Sequence, residues 1–76
     1  AMNKGGNMPC ILNAANEVVN LAFREGRCGF LQMSDVIAET MAKTTFIIEP
    51  TYEDYVQTDT EARKIATTIL NNTKQL

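Results

Sequence analysis

Residues 9–25 carry an amphipathic helical pattern that constrains the fold more than any other stretch of the sequence. Their apolar side chains recur every three or four residues and fall within about 140° of arc on a helical wheel. The set on this arc is Ile11, Leu12, Ala15, Val18, Val19, Ala22 and Phe23. Asn7 precedes the pattern as an N-cap, and Gly26 follows it as a stop. Ala14 and Leu21 lie outside the arc and indicate a second, smaller contact face.

The middle of the chain predicts one further helix and a linker. Ser34 is a good N-cap and predicts a second helix over about 35–43. Residues 44–50 have strand propensity, but no other stretch of the sequence offers a partner strand. We therefore interpret them as an extended linker that ends at Pro50.

The last third of the chain contains two helix-start signals. Thr51 is the predicted N-cap of a short helix over 52–57. Thr58 and Glu61 match a capping box and predict a separate last helix over about 59–72. The sequence thus predicts an all-α fold, a small bundle or superhelix of about four helices that forms one domain over residues 1–76.

Composition argues against several classes of function. The 76 residues include nine acidic and seven basic side chains, for a net charge of −2, and no histidine. The basic residues are scattered, so we expect no nucleic-acid partner. The absence of histidine excludes a Ser-His or Cys-His nucleophile within this chain. No unbroken apolar run exceeds three residues, so we expect no membrane span.

The two cysteines are expected to be free thiols. A helix over residues 10–25 would hold Cys10 about 24 Å from Cys28, since a helix rises 1.5 Å per residue. A disulfide needs Cα atoms within about 7 Å. Free thiols are typical of a reducing compartment, so we expect a cytoplasmic protein.

Three asparagines form a stripe on the first predicted helix. Asn13, Asn16 and Asn20 recur at helical spacing, although asparagine costs several tenths of a kcal/mol relative to alanine in a helix. One explanation is that the carboxamides bind a loop of this chain or the surface of a neighbour. The other is that they form an ordinary solvated face. The sequence alone favours neither explanation.

No catalytic, cofactor-binding or metal-binding residue is predicted. Three of the carboxylates have local explanations, because Asp54 and Asp59 fall in first helical turns and Glu61 falls in the capping box. The glycines match neither a dinucleotide-binding nor a phosphate-loop spacing.

The segment from Gly5 to Glu17, with its Leu-Asn-Ala-Ala-Asn-Glu run, resembles the C-terminal domain of the 1-deoxy-D-xylulose 5-phosphate reductoisomerase family. The Phe-Leu-x-x-Ser-Asp segment from Phe30 to Asp35 follows the same plan. So does the pattern from Tyr52 to Arg63, and the resemblance covers about residues 2–70.

The resemblance implies a C-terminal fragment of a larger, three-domain enzyme. Such an enzyme forms 2-C-methyl-D-erythritol 4-phosphate in the non-mevalonate isoprenoid pathway, using NADPH and a divalent metal, Mg²⁺ or Mn²⁺. The family's metal-binding and phosphate-binding motifs lie in its other domains. This chain would then be a supporting domain, inactive alone, whose partners are the remaining domains of the parent enzyme.

Two hypotheses and one alternative follow. Asn13, Asn16 and Glu17 are hypothesised to brace the domain, either internally or against the missing part. The detached domain is hypothesised to self-associate through leftover apolar residues, namely Leu21, Phe46, Ile47 and Ile48. The alternative function is a free-standing helical adaptor that binds a partner peptide.

Overall fold

A computed structural model describes residues 5–73, and these residues form three helices without a strand. Helix α1 spans Met8–Arg24, α2 spans Phe30–Lys43 and α3 spans Tyr52–Thr73. Each helix packs against the other two. The predicted all-α class is confirmed, but the number of helices is three rather than about four.

Helix α1 lies within one residue of its predicted bounds, and Gly26 ends it with φ +77°. Four of the seven residues on the predicted arc are buried, and Ala14 is buried on the predicted second contact face. Leu12 and Phe23, placed on the apolar arc, are 43% and 44% exposed, whereas Ala14 is fully buried. The buried face is rotated because α1 packs against both α2 and α3, and Ala14 contacts the α3 side of the bundle.

Helix α2 begins four residues before the predicted cap at Ser34. Gly29 is the N-cap, and its backbone N–H donates to Oε1 of Gln32 at 2.8 Å. The Gln32 side chain thus reaches back over the first turn, as a glutamine three residues after the cap commonly does. Ser34 lies inside the helix and is exposed.

The two helices predicted after Pro50 are a single continuous helix. Thr51 does cap its start: the Thr51 hydroxyl accepts from the N–H of Asp54, and the Asp54 carboxylate accepts from the N–H of Thr51. The second predicted cap is wrong, because Thr58 is buried within α3 and Glu61 accepts hydrogen bonds from Thr45 instead. These side chains bind distant parts of the chain, so nothing interrupts α3 at residue 58.

The apolar core consists of two adjoining clusters along the bundle. The larger contains Val19, Ala22, Cys28, Val36, Ala66, Ile69 and Leu70. The smaller contains Ile11, Ala14 and Ala62, with Met8 and Met41 packed against it. Alanines on the facing surfaces allow the helices to approach closely, so the core holds few large side chains.

Asn7 joins three parts of the fold through one fully buried side chain. Its Nδ2 donates to the carbonyl oxygen of Thr45 and to Oγ1 of Thr58, both at 2.9 Å. Its Oδ1 accepts from the N–H of Ile47 at 2.8 Å, and its own backbone N–H donates to the carbonyl of Ile47 at 3.0 Å. Asn7 occupies the predicted N-cap position, but its side chain anchors the 44–50 linker and α3 instead of capping α1.

The approach of the linker to the start of α1 also requires a glycine. Gly6 has φ +55°, and a Cβ atom at this position would collide with the backbone carbonyl of Ile47. Glycine is therefore needed here both for its backbone conformation and for the space it leaves.

We expect Asn7→Ala to lower the free energy of unfolding by about 3–5 kcal/mol, because it leaves several buried hydrogen-bonding groups without partners. Asn13→Ala is the matched control on the exposed side of α1, and it should change stability by less than about 0.5 kcal/mol. Urea denaturation followed by circular dichroism measures both. Equal losses for the two variants would contradict the anchoring role of Asn7.

Candidate functional site

A shallow groove of about 440 Å³ runs along the outward side of α1 next to α3. It is lined by Asn13, Asn16 and Asn20, with Glu17, Arg24 and Arg63 among them. We refer to it as the carboxamide groove. It brings the predicted asparagine stripe together with a charged residue of another helix.

Arg63 connects the two helices that form the groove. Its Nη2 lies 2.5 Å from Oε1 of Glu17 on α1, and its Nε lies 2.9 Å from Oδ2 of Asp59 one turn earlier on α3. The hydrogen bond with Asp59, followed by the one with Glu17, raises the pKa of Arg63 above its ordinary value. All three side chains are at least 40% exposed, so water weakens the attraction. The network therefore contributes little to stability, although it joins α1 to α3 at this point.

The three asparagines differ in their contacts. Nδ2 of Asn20 donates to the backbone carbonyl of Asn16 at 2.7 Å and to its Oδ1 at 3.2 Å. Asn13 is exposed and makes no hydrogen bond to any residue between 5 and 73. Of the three hypothesised bracing residues, only Glu17 reaches another helix, whereas Asn16 contacts the next turn of its own helix.

Both cysteines are free thiols, and neither is activated. Burial raises the pKa of the Cys10 thiol, and the nearby carboxylate of Asp59 raises it further, against a smaller lowering by Arg63. Burial likewise raises the pKa of Cys28, which packs in the core. A nucleophilic cysteine requires a lowered pKa, so the surroundings of these thiols favour the unreactive form.

The carboxylates are dispersed over the surface, and several of them pair with residues that are either near or far in the sequence. Asp54 lies in a first helical turn as predicted, and its carboxylate accepts from the N–H of Thr51. Asp59 lies inside α3 and pairs with Arg63, and Glu61 accepts from Thr45 instead of forming a capping box. Over residues 5–73, no three side chains of His, Cys, Asp or Glu are grouped so that they could hold a metal ion.

None of the described helices combines the length and the apolar character needed to cross a membrane.

A second groove, of about 300 Å³, lies between α2 and α3. Ile65 and Ile69 form part of its lining, and Glu39, Lys43 and Lys64 lie around them. Lys43 and Glu39 form an ion pair at 2.8 Å within α2. Charged side chains commonly cover apolar surface in this way, so this groove shows no feature that points to chemistry.

Comparison with known proteins identifies the family of the chain. A family model described as the DXP reductoisomerase C-terminal domain matches residues 1–65. The chain belongs to this family. The match includes all of α1 and α2 and the Arg63 network, so the carboxamide groove is formed largely by residues of the matched domain.

Whole proteins similar to this chain are far longer. It is 58% identical, over 95% of its own length, to a 1-deoxy-D-xylulose 5-phosphate reductoisomerase of Phocaeicola vulgatus, but covers 19% of that protein. It is 61% identical over 87% of its length to the protein of the same name from Bacteroides fragilis, of which it covers 17%. The chain thus spans less than a fifth of the length of these curated relatives. No solved structure matches it.

Sequence reasoning missed the role of Arg63 in this site. A local signal was present, because Asp59 and Arg63 are four residues apart on one helix, a spacing that favours ion pairs. The contact with Glu17 crosses 46 residues of sequence, and no local pattern indicates it.

We expect Arg63→Met to lower the free energy of unfolding by about 1 kcal/mol at low ionic strength and by nearly nothing at about 1 M salt. Methionine keeps the aliphatic part of the side chain and removes the charge. Lys64→Met, at the exposed neighbouring position, is the control and should have no comparable effect. A loss that persists in high salt would show that packing, and not charge, links α1 to α3 at this point.

Proposed function

We propose that this chain is the C-terminal supporting domain of a three-domain 1-deoxy-D-xylulose 5-phosphate reductoisomerase. The parent would convert its substrate to 2-C-methyl-D-erythritol 4-phosphate with NADPH and a divalent metal, Mg²⁺ or Mn²⁺. One observation carries the proposal: the chain matches the family's C-terminal domain while spanning under a fifth of relatives that bear the enzyme's name. This observation favours a supporting domain over a free-standing adaptor.

The residues of the chain fit a supporting role better than a catalytic one. The described part groups no set of side chains that could hold a metal ion, and both thiols have a raised pKa. The present residues therefore do not fit the metal that the family implies, and no step of the reaction is assigned to them. We place metal binding, NADPH binding and substrate binding in the remaining domains of the parent.

Within this role, Glu17 braces the domain internally through Arg63. Asn13 and Asn16 face outward and are available to the parent. Two free cysteines in one small domain accord with a reducing compartment, and we infer that the parent is cytoplasmic.

The test compares the isolated chain with the full-length parent. Each is assayed for NADPH oxidation with 1-deoxy-D-xylulose 5-phosphate and Mg²⁺. We expect turnover by the parent and none by the isolated chain. We also expect circular dichroism to show that the isolated chain is helical, so that the lack of turnover does not reflect unfolding.

One control and two possible outcomes make the assay decisive. A mixture of the chain with the parent excludes an inhibitor in the preparation of the chain. Turnover by the chain alone would contradict the supporting role, and absence of turnover by a folded parent would contradict the proposed reaction.

We also propose that the detached chain self-associates. Of the four apolar residues named from the sequence, Leu21, Phe46 and Ile48 are 45%, 48% and 67% exposed. Ile47 is less exposed, and its backbone is held by Asn7. Side chains of this kind on the surface of a monomer favour association.

Light scattering over a concentration series tests self-association. The mass should rise above the 8.4 kDa of the monomer, and Ile48→Lys should lower the mass at a given concentration. Ala42→Lys, at an exposed position of α2, is the control and should leave the mass unchanged. A mass that stays at that of the monomer at every concentration would exclude self-association.

A further inference from the structure

We propose that the carboxamide groove receives an extended segment of the parent polypeptide, drawn from the part that precedes this domain. The asparagine carboxamides would pair with the backbone of that segment. This inference rests on the proposed function, because it requires that a larger protein surrounds the domain.

The hydrogen-bonding groups of the groove match those of a peptide backbone. A carboxamide carries an acceptor oxygen and donor N–H groups, as a peptide unit does. The whole carboxamide of Asn13, Nδ2 of Asn16 and Oδ1 of Asn20 have no partner among residues 5–73. Asn13 and Asn20 are separated by about 10 Å along α1, at 1.5 Å per residue. An extended chain covers this distance with about three residues.

The charge of the groove favours an uncharged occupant. Glu17 and Asp59 carry two negative charges, and Arg63 and Arg24 carry two positive charges, so these four side chains are neutral together. An anionic ligand such as a phosphate group would meet little net attraction here. Leu21, nearly half exposed, adds apolar surface at the same site. A neutral peptide segment with an apolar side chain suits this lining better than a charged ligand does.

The asparagines also lack an explanation within the isolated domain. Each costs several tenths of a kcal/mol in a helix relative to alanine, and only the Asn20–Asn16 contact returns a hydrogen bond. Asn13 makes none among the described residues, although it lies in the middle of the groove-forming helix. Pairing with another segment would offset this cost.

The length of the relatives indicates where the occupant comes from. The matched domain is the C-terminal domain, and in the two relatives described above more than four fifths of the polypeptide lies outside the matched stretch. Any part of such a protein that precedes these residues is tethered on the N-terminal side of α1. Asn13 lies five residues, or about 8 Å, from the start of α1, so a tethered segment reaches the groove at high effective concentration.

Cysteine labelling tests the proposal directly. Asn13→Cys is introduced into the isolated chain and into the full-length parent, and modification by a maleimide is located by mass spectrometry. We expect labelling at position 13 to be about tenfold or more slower in the parent, because the occupant must move away first. Ala42→Cys, exposed on α2, is the control and should react at similar rates in both proteins.

A second variant keeps the test valid if Asn13→Cys does not fold. Arg24→Cys reports on the other end of the same groove and should show the same protection in the parent. Circular dichroism confirms that each labelled protein is helical.

Each remaining outcome has one meaning. Equal labelling of position 13 in both proteins overturns the proposal, as does equal protection of positions 13 and 42 in the parent. The isolated chain is labelled at a concentration at which light scattering gives the mass of the monomer, so that self-association through Leu21 does not protect position 13. The turnover assay of the unsubstituted parent is independent, since labelling measures contact whether or not the parent is active.

Discussion

The buried carboxamide of Asn7 is the interaction on which the rest of the fold depends. It binds residues 38, 40 and 51 positions away, and it thereby joins the start of α1 to the 44–50 linker and to the middle of α3. A linker without a partner strand has backbone groups that must be satisfied in another way. The side chain of Asn7 satisfies the carbonyl of Thr45 and the N–H of Ile47, and its backbone N–H satisfies the carbonyl of Ile47, so the chain can cross from α2 to α3 without a sheet. The core contains many alanines, which offer little shape to distinguish one helix arrangement from another. A buried and fully bonded polar contact favours the one arrangement in which its partners meet.

The sequence predicted the features that depend on neighbouring residues. The bounds of α1, its end at Gly26 and the cap at Thr51 all follow from local backbone and side-chain chemistry. The helix break predicted at Thr58 is wrong, because it depends on residues that are distant in the sequence. A threonine followed by Glu61 has the local form of a capping box, but both side chains are bound to residues far away in the sequence. A local pattern cannot show that a partner outside the helix has already engaged the capping groups.

The candidate site follows the same division. The asparagine stripe was visible because three poor helix formers recur on one side of a strong helix. Its position beside Arg63 was not visible, since the angle at which α3 crosses α1 decides which side chains meet. The partial exposure of Leu12 and Phe23 was not predicted, for the same physical reason. Contact with two helices turns Ala14 inward and leaves Leu12 and Phe23 partly exposed, a rotation that one helical wheel does not contain.

The two sides of α1 have different roles, since one side forms the core and the other side lines the carboxamide groove. The inner side is rich in alanine, so the helices approach closely and the domain holds its shape with a small core. The outer side carries carboxamides, a charge network that is nearly neutral, and apolar side chains that remain partly exposed. A small domain leaves a large fraction of its surface uncovered. The matched relatives are far longer than this chain, and in the proposed parent other parts of the polypeptide are present to cover the surface of the domain. This explains why such a domain can keep apolar side chains on its surface.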